Sequence, residues 1–164
     1  MIRHVVNLTV PGATAKQFYE FETNPNDEQY QAWWPGEHLQ FHITKRGDKK
    51  HIGDEVFFDE YLGKGRRLKF RAIVVVAEYP NKIVWQMKAA GLRLPAFLEL
   101  SFQDSPDGLL LCHELRIGFD GIGKIIDPFI RVYFTKSFQT ALEEHCHVEW
   151  PMLAEYLKTE ESLA

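Results

Sequence analysis

Along most of the chain hydrophobic and polar residues alternate with period two, and near the C-terminal end the pattern changes to a helical period. Ile2–Val10 reads as a strand, with Ile2, Val6, Leu8 and Val10 at even positions, and Pro11-Gly12 ends it. Thr14 and Gln17 have the spacing of a capping box, which predicts a short helix running to about residue 22. The Asn24-Pro25-Asn26-Asp27 segment breaks that helix and caps a second one over Asp27–Trp33, which Pro35-Gly36 closes. Six further strands are predicted over residues 39–44, 55–62, 68–77, 82–88, 94–102 and 109–119. The polar, Gly- or Pro-bearing stretches between them read as turns, and Asp104-Ser105-Pro106-Asp107-Gly108 is the strongest. Gly118, Gly121 and Gly123 mark a flexible passage to a long helix, with Asp127 as its N-cap and Pro128 at its first position.

The predicted order is a strand, two short helices, a run of antiparallel strands and one long amphipathic helix. A meandering sheet needs one face covered, and the helix can cover it. The fold class is therefore α+β. The order and lengths resemble the helix-grip fold of the Bet v 1/START-like (SRPBCC) superfamily over essentially the whole chain, residues 1–164, as one domain. The resemblance implies a curved antiparallel sheet of about seven strands wrapped around the C-terminal helix, with a cavity between them. That fold hosts cyclases, hydrolases, lipid carriers and allergens, so function has to come from the site.

Length and composition fit one domain with a sizeable core: 164 residues, 45% hydrophobic, with 12 Phe, 6 Tyr and 4 Trp. A net charge of −4 gives no footprint for nucleic acid, and the short basic clusters at residues 45–50 and 64–67 read as solvated hairpin loops. No apolar run reaches the roughly 20 residues that cross a bilayer. The N-terminus lacks a signal-peptide pattern, and Cys112 and Cys146 make no disulfide framework. A cytoplasmic location is the expectation. The glycines at 118–123 do not spell a dinucleotide fingerprint.

Candidate chemistry starts in the last helix. His145 and Glu149 lie one turn apart, on a stripe shared with Phe134, Phe138, Leu142 and Leu153. An imidazole and a carboxylate on an apolar face each need a partner, and a divalent metal satisfies both. The alternatives are a buried His–Glu hydrogen bond or a frayed helix end, because Pro151 follows closely and places Glu149 at an expected kink. His147 falls on the opposite side and reads as exposed; Cys146 reads as a small core or flank residue. In residues 55–62 the even set Val56, Phe58, Glu60 and Leu62 is the more apolar. If that set faces the cavity, Glu60 points inward and must be paired; the opposite register puts it at the surface. His38 follows the Pro-Gly break and by itself reads as a loop histidine, with His42, further along the same strand face, as its rival. His113 sits among Leu109, Leu111, Leu115, Ile117 and Phe119. A lone histidine there is most often a satisfied core residue, or a functional contact where the face lines a cavity.

Three segments taken together are similar to one branch of the superfamily, the zinc-dependent diacetylphloroglucinol hydrolase and phloretin hydrolase family. They are Tyr-Gln-Ala-Trp-Trp-Pro-Gly-Glu-His (30–38), Phe-Asp-Glu-Tyr-Leu-Gly (58–63) and Glu-His-Cys-His-Val-Glu (144–149). The resemblance implies one zinc held by His38, Glu60, His145 and Glu149. It places Tyr30 where the family contacts a phenolic hydroxyl of the substrate. Trp34 stands where the family often has histidine, and Phe41 where it has a polar residue. The chain is also expected to lack the N-terminal region such hydrolases carry. Tyr30, Trp34, Phe41 and Phe138 are the expected substrate-binding residues, and Glu60 and His113 the expected catalytic ones.

Two imidazoles and two carboxylates suit Zn2+, and Fe2+ or Mn2+ accept the same donors, whereas calcium and magnesium sites prefer oxygen alone. Four protein donors fill a tetrahedral shell, so catalysis would require one to leave or the shell to expand. The implied reaction is hydrolysis of a carbon–carbon bond between an aromatic ring and an acyl group in a small aromatic ketone or polyketide-like compound. Two other readings stand beside it: a metal-free carrier of a hydrophobic small molecule, and a polyketide cyclase or dehydratase using His and Glu as base and acid. The expected partner is a small hydrophobic or aromatic molecule rather than nucleic acid or membrane, with a homodimer left open.

Overall fold

The computed structural model describes residues 2–63, 65–118 and 134–163. Seven strands form one antiparallel sheet: β1 (Ile2–Val10), β2 (His38–Lys45), β3 (Glu55–Tyr61), β4 (Arg67–Glu78), β5 (Lys82–Ala89), β6 (Leu92–Ser105) and β7 (Gly108–Ile117). Their spatial order is β1-β7-β6-β5-β4-β3-β2, so every neighbour except the β1–β7 pair is a sequential hairpin. Among the described residues there are three helices, α1 (Ala15–Thr23), α2 (Asp27–Trp33) and α3 (Lys136–Leu163). This is an α+β helix-grip architecture. α2 packs on β2, α1 on β6, and α3 on β1 and α2, so the core lies between the sheet and the helices. No helix among the described residues is long and apolar enough to cross a membrane.

Local chemistry sets most boundaries. Thr14 and Gln17 form the capping box at α1, and the Asn26 side chain accepts from the Glu28 and Gln29 amides in the first turn of α2. The long helix differs from its predicted start. Its described part begins at Lys136, where the Thr135 hydroxyl accepts the Phe138 N–H at 3.2 Å as an N-cap. Phe134 therefore precedes the helix instead of belonging to its stripe, although its ring still meets Phe138 at 4.8 Å. Asp127, Pro128 and the strand residue Phe119 lie outside the described residues. β6 runs longer than its predicted span, because the polar run 103–105 pairs with β7 and only Pro106-Asp107 are left in the turn. Pro151 does not end α3. It lies on the solvent side, so the His147 carbonyl, which loses its i+4 amide partner, is on a face that water reaches.

One irregularity in β2 governs what points inward. His38 pairs with Glu60 and Gln40 with Asp59, so β2 carries one extra residue against β3. Beyond this bulge the odd residues of β2 face the core. Phe41 is fully buried and stacks on Phe58 with ring centroids 4.1 Å apart. His42 turns outward to Asp27, 2.9 Å away. Simple alternation puts His38 and His42 on one face, and the bulge separates them. Phe58 lies at the centre of an aromatic cluster, 4.8 Å from Phe70 and 6.0 Å from Trp85. Phe58→Ala is expected to cost about 3–5 kcal/mol. His42→Ala, which loses only a half-exposed pair, is expected to cost less than about 1 kcal/mol. Urea denaturation of the two variants measures the difference.

Candidate metal centre

Three elements bring the polar groups together. Trp34-Pro35-Gly36-Glu37 is a tight turn in which the Glu37 and His38 amides both donate to the Trp34 carbonyl, at 3.3 and 3.1 Å. Pro35 and Gly36 suit the two central positions of a type II turn, and Gly36 has the required positive φ of 88°. The turn reverses the chain from α2 into β2 and makes His38 the first residue of the strand, directly opposite Glu60 of β3. In β3 the even residues do face inward. Asp59, on the other face, is neutralised by Arg67 at 2.6 Å and Lys69 at 3.3 Å. α3 supplies His145 and Glu149 from one turn of its buried face.

His38, Glu60, His145 and Glu149 each place one ligand atom within 4.8 Å of the others. His38 is fully buried, and His145 and Glu149 nearly so. His38 Nε2 lies 3.6 Å from Glu149 Oε1, and His145 Nε2 lies 3.8 Å from Glu149 Oε2. These are too long for hydrogen bonds. The Nε2 atoms of His38 and His145, the nitrogens that face Glu149, are buried without a hydrogen-bond partner. Tetrahedral zinc with bonds of ~2.0–2.1 Å separates its ligand atoms by about 3.3 Å. The four donors thus stand near ligand–ligand spacing, and the two-nitrogen, two-oxygen set fits a divalent transition metal.

Aromatic packing fixes the rings. Tyr30 stacks on His38 with centroids 4.0 Å apart and planes 1° from parallel, and Trp33 meets the same imidazole edge-on at 4.2 Å. Trp34 stacks on His145 at 4.6 Å. The Tyr30 hydroxyl donates to Glu60 Oε2. Tyr30 and Trp34 therefore hold the proposed ligands directly, and Phe41 packs beneath Tyr30.

Electrostatics shows what the site lacks. Burial, aided by the neighbouring His145, lowers His38 to about 3, and burial lowers His145 to about 4, so both imidazoles are neutral near pH 7. Burial raises Glu60 to about 7 against the opposing Tyr30 hydrogen bond. Glu60 is half-buried and lines a cavity. Burial, then repulsion from Glu60 and Glu22, pushes Glu149 well above the ordinary carboxyl range. A bound cation would reverse the carboxyl shifts.

Of the four donors, Glu60 lines a cavity of about 480 Å3. Leu68, Phe70, Met87, Leu98, Leu115, Leu142 and Phe138 supply its apolar lining, and Arg66 lies over the Phe138 ring. Glu60 and His113 line both this cavity and a small inner void of about 40 Å3 beside the donors. Burial lowers His113 to about 4, and its Nδ1 has no partner. Of the expected substrate contacts, Phe138 lines the large cavity. Tyr30 and Phe41 border the inner void, and Trp34 borders a separate pocket behind His145.

One acidic residue escaped the sequence reading. Glu22 is buried on α1, on the face that also buries Phe18 and Tyr19, and it lines the inner void. Burial, with repulsion from Glu60, raises it to about 8. The signal was an acidic residue four positions after Phe18 on an apolar helix face, the same kind of signal that marks His145 and Glu149.

No protein-family model matches the chain, and no curated protein does. Solved structures match along nearly the whole length. The KanY protein superposes with a TM-score of 0.62 at 11% identity, covering 96% of this chain and 97% of its own. TTHA0849 from Thermus thermophilus gives 0.59 at 10% identity, with 97% and 99% covered. Aha1 from Colwellia psychrerythraea, solved as a dimer, gives 0.50 at 11% identity, with 88% and 96% covered. At such identities the similarity establishes the fold alone.

The raised carboxyls predict an unusual pH profile for the metal-free protein. An unfolded chain releases carboxyl protons near 4.5, whereas the folded chain holds those of Glu60 and Glu22 to about 7 and 8. Between these values the folded state binds more protons, so stability falls as pH rises. The buried histidines act in the opposite direction below 6.5 and contribute a constant amount above it. From pH 6.5 through about 8 the Tm of chelator-treated protein is expected to drop by about 3–5 °C per pH unit for each proton involved. Added zinc is expected to abolish the drop and raise the Tm. Differential scanning calorimetry across that range, with and without zinc, checks both.

Proposed function

We propose that this protein is a zinc-dependent hydrolase of a small aromatic ketone or polyketide-like compound, cleaving the carbon–carbon bond between the ring and its acyl group. The observation that carries the reading is the set His38, Glu60, His145 and Glu149, donor atoms within 4.8 Å of one another, with Glu60 also lining a largely apolar cavity. Two neutral imidazoles and two carboxylates carry a charge of −2, which a divalent cation cancels. Fe2+ or Mn2+ would be held by the same donors.

When bound, zinc supplies Lewis acidity that polarises a carbonyl and acidifies water. The rest falls to the protein. The cavity volume of about 480 Å3 suits a small aromatic molecule, and its largely apolar wall offers contacts to the ring. Hydrolysis adds water across the bond: hydroxyl to the acyl carbon, which leaves as a carboxylic acid, and a proton to the ring carbon. His113, neutral and facing both cavity and void, is suited to pass that proton. Glu60, held by the Tyr30 hydroxyl, is the second group able to carry a proton there.

Purified protein is expected to contain one equivalent of zinc by elemental analysis. His145→Ala and Glu149→Ala are expected to lose it while keeping the wild-type circular dichroism spectrum. Tyr30→Phe, which removes the hydroxyl that holds Glu60, is expected to weaken zinc binding or turnover of an acylated polyhydroxybenzene by about 10- to 100-fold. Metal-free protein that carries an apolar ligand would support the carrier reading instead. Turnover that survives chelation but not His145→Ala would support the cyclase reading.

A further inference from the structure

Glu22 is not among the residues whose donor atoms gather within 4.8 Å of one another, yet it borders the void that Glu60, His145 and Glu149 also border. It is 6% exposed and makes no hydrogen bond or ion pair with any described residue. An unpartnered buried carboxyl is costly, roughly 2 kcal/mol or more. The void of about 40 Å3 is large enough for at least one water. Its polar border consists of Glu22, Tyr30, Glu60, His113, His145 and Glu149, which gives such a water several partners.

We propose that Glu22 is an outer donor of the metal centre, hydrogen-bonding a water in the inner void that completes the ion's coordination as a fifth ligand. The inference rests on the metal reading above and deepens it. Four protein donors alone make the closed shell of a structural site, whereas a water held by Glu22 gives the centre an exchangeable position. Glu22 is a positioning residue in this arrangement: it acts through the water and does not touch the ion. Its place in the last turn of α1 makes the first helix part of the site and joins it to β2, β3 and α3.

Cobalt substitution tests this without an assay for turnover. Chelator-treated protein is loaded with Co2+, and visible absorption and Co2+ affinity are measured for wild type, Glu22→Gln and Glu22→Leu. Wild type is expected to show the weak bands of five-coordinate cobalt. Glu22→Gln, which can still hydrogen-bond a water, is expected to keep them. Glu22→Leu is expected to show the more intense bands of four-coordinate cobalt and an affinity changed by about 10- to 100-fold. Glu22→Met, which keeps the side-chain length, serves the same purpose if the leucine variant does not fold. A spectrum and affinity in the apolar variant identical to wild type would overturn the role of Glu22 and leave the metal centre standing. Failure of the wild type to take up one equivalent of Co2+ would overturn both.

Discussion

The gathering of Glu22, Glu60 and Glu149 around one small void is the constraint on which the rest of this structure depends. The three carboxyls border a space walled by Phe41, Phe58, Trp85 and Trp150, where an unpaired charge costs several kcal/mol. Tyr30 donates to Glu60, and no described side chain donates to the other two. The two imidazoles beside them, His38 and His145, are likewise unpartnered at the nitrogens that face the group. In the metal-free protein neutrality is restored by retained protons, and folding and protonation are therefore coupled. A cation would remove the conflict by satisfying oxygen and nitrogen lone pairs together.

Other features read as means of keeping these donors apart and in place. Side chains left free would collapse into His–Glu hydrogen bonds, yet the contacts stay at 3.6 and 3.8 Å. Stacking by Tyr30 and Trp34 limits ring rotation, since each imidazole lies nearly parallel to an indole or phenol ring at 4.0 to 4.6 Å. The β2 bulge turns His38 and Phe41 inward while sending His42 to Asp27. The Asp27 carboxylate also accepts the Phe41 amide, which ties the start of α2 to the strand just beyond the bulge. Asp59, beside Glu60 in sequence, is neutralised on the outer face by Arg67 and Lys69.

The fold was largely legible because strands and helices follow from local periodicity and turn chemistry. The hairpin succession over β2 to β7 needs only period-two alternation and Gly-, Pro- or Asp-bearing turns. The start of the long helix was misplaced because Asp127-Pro128 is a stronger local signal than Thr135, whose hydroxyl caps the helix at Phe138. His42 remained a rival to His38 because a bulge leaves little trace in a single sequence; it shows only once β3 pairs with β2. Glu22 was missed although it shares an apolar helix face with Phe18, since a nine-residue helix gives a short stripe.

By itself the sequence determined the element order and the placement of His145 and Glu149 one turn apart, because both depend on spacing within single elements, while the inward face of β3 stayed open until the sheet was paired. It also supplied the residue types a metal would want. Only the tertiary structure decided that His38 rather than His42 joins them, that Tyr30 and Trp34 brace the ligands, and that Glu22 borders the same void. These depend on the relative placement of α1, α2, β2, β3 and α3, fixed by packing across the core. Local patterns specify which way a side chain leaves its own backbone; which side chains it meets is set by the sheet closing over the helix.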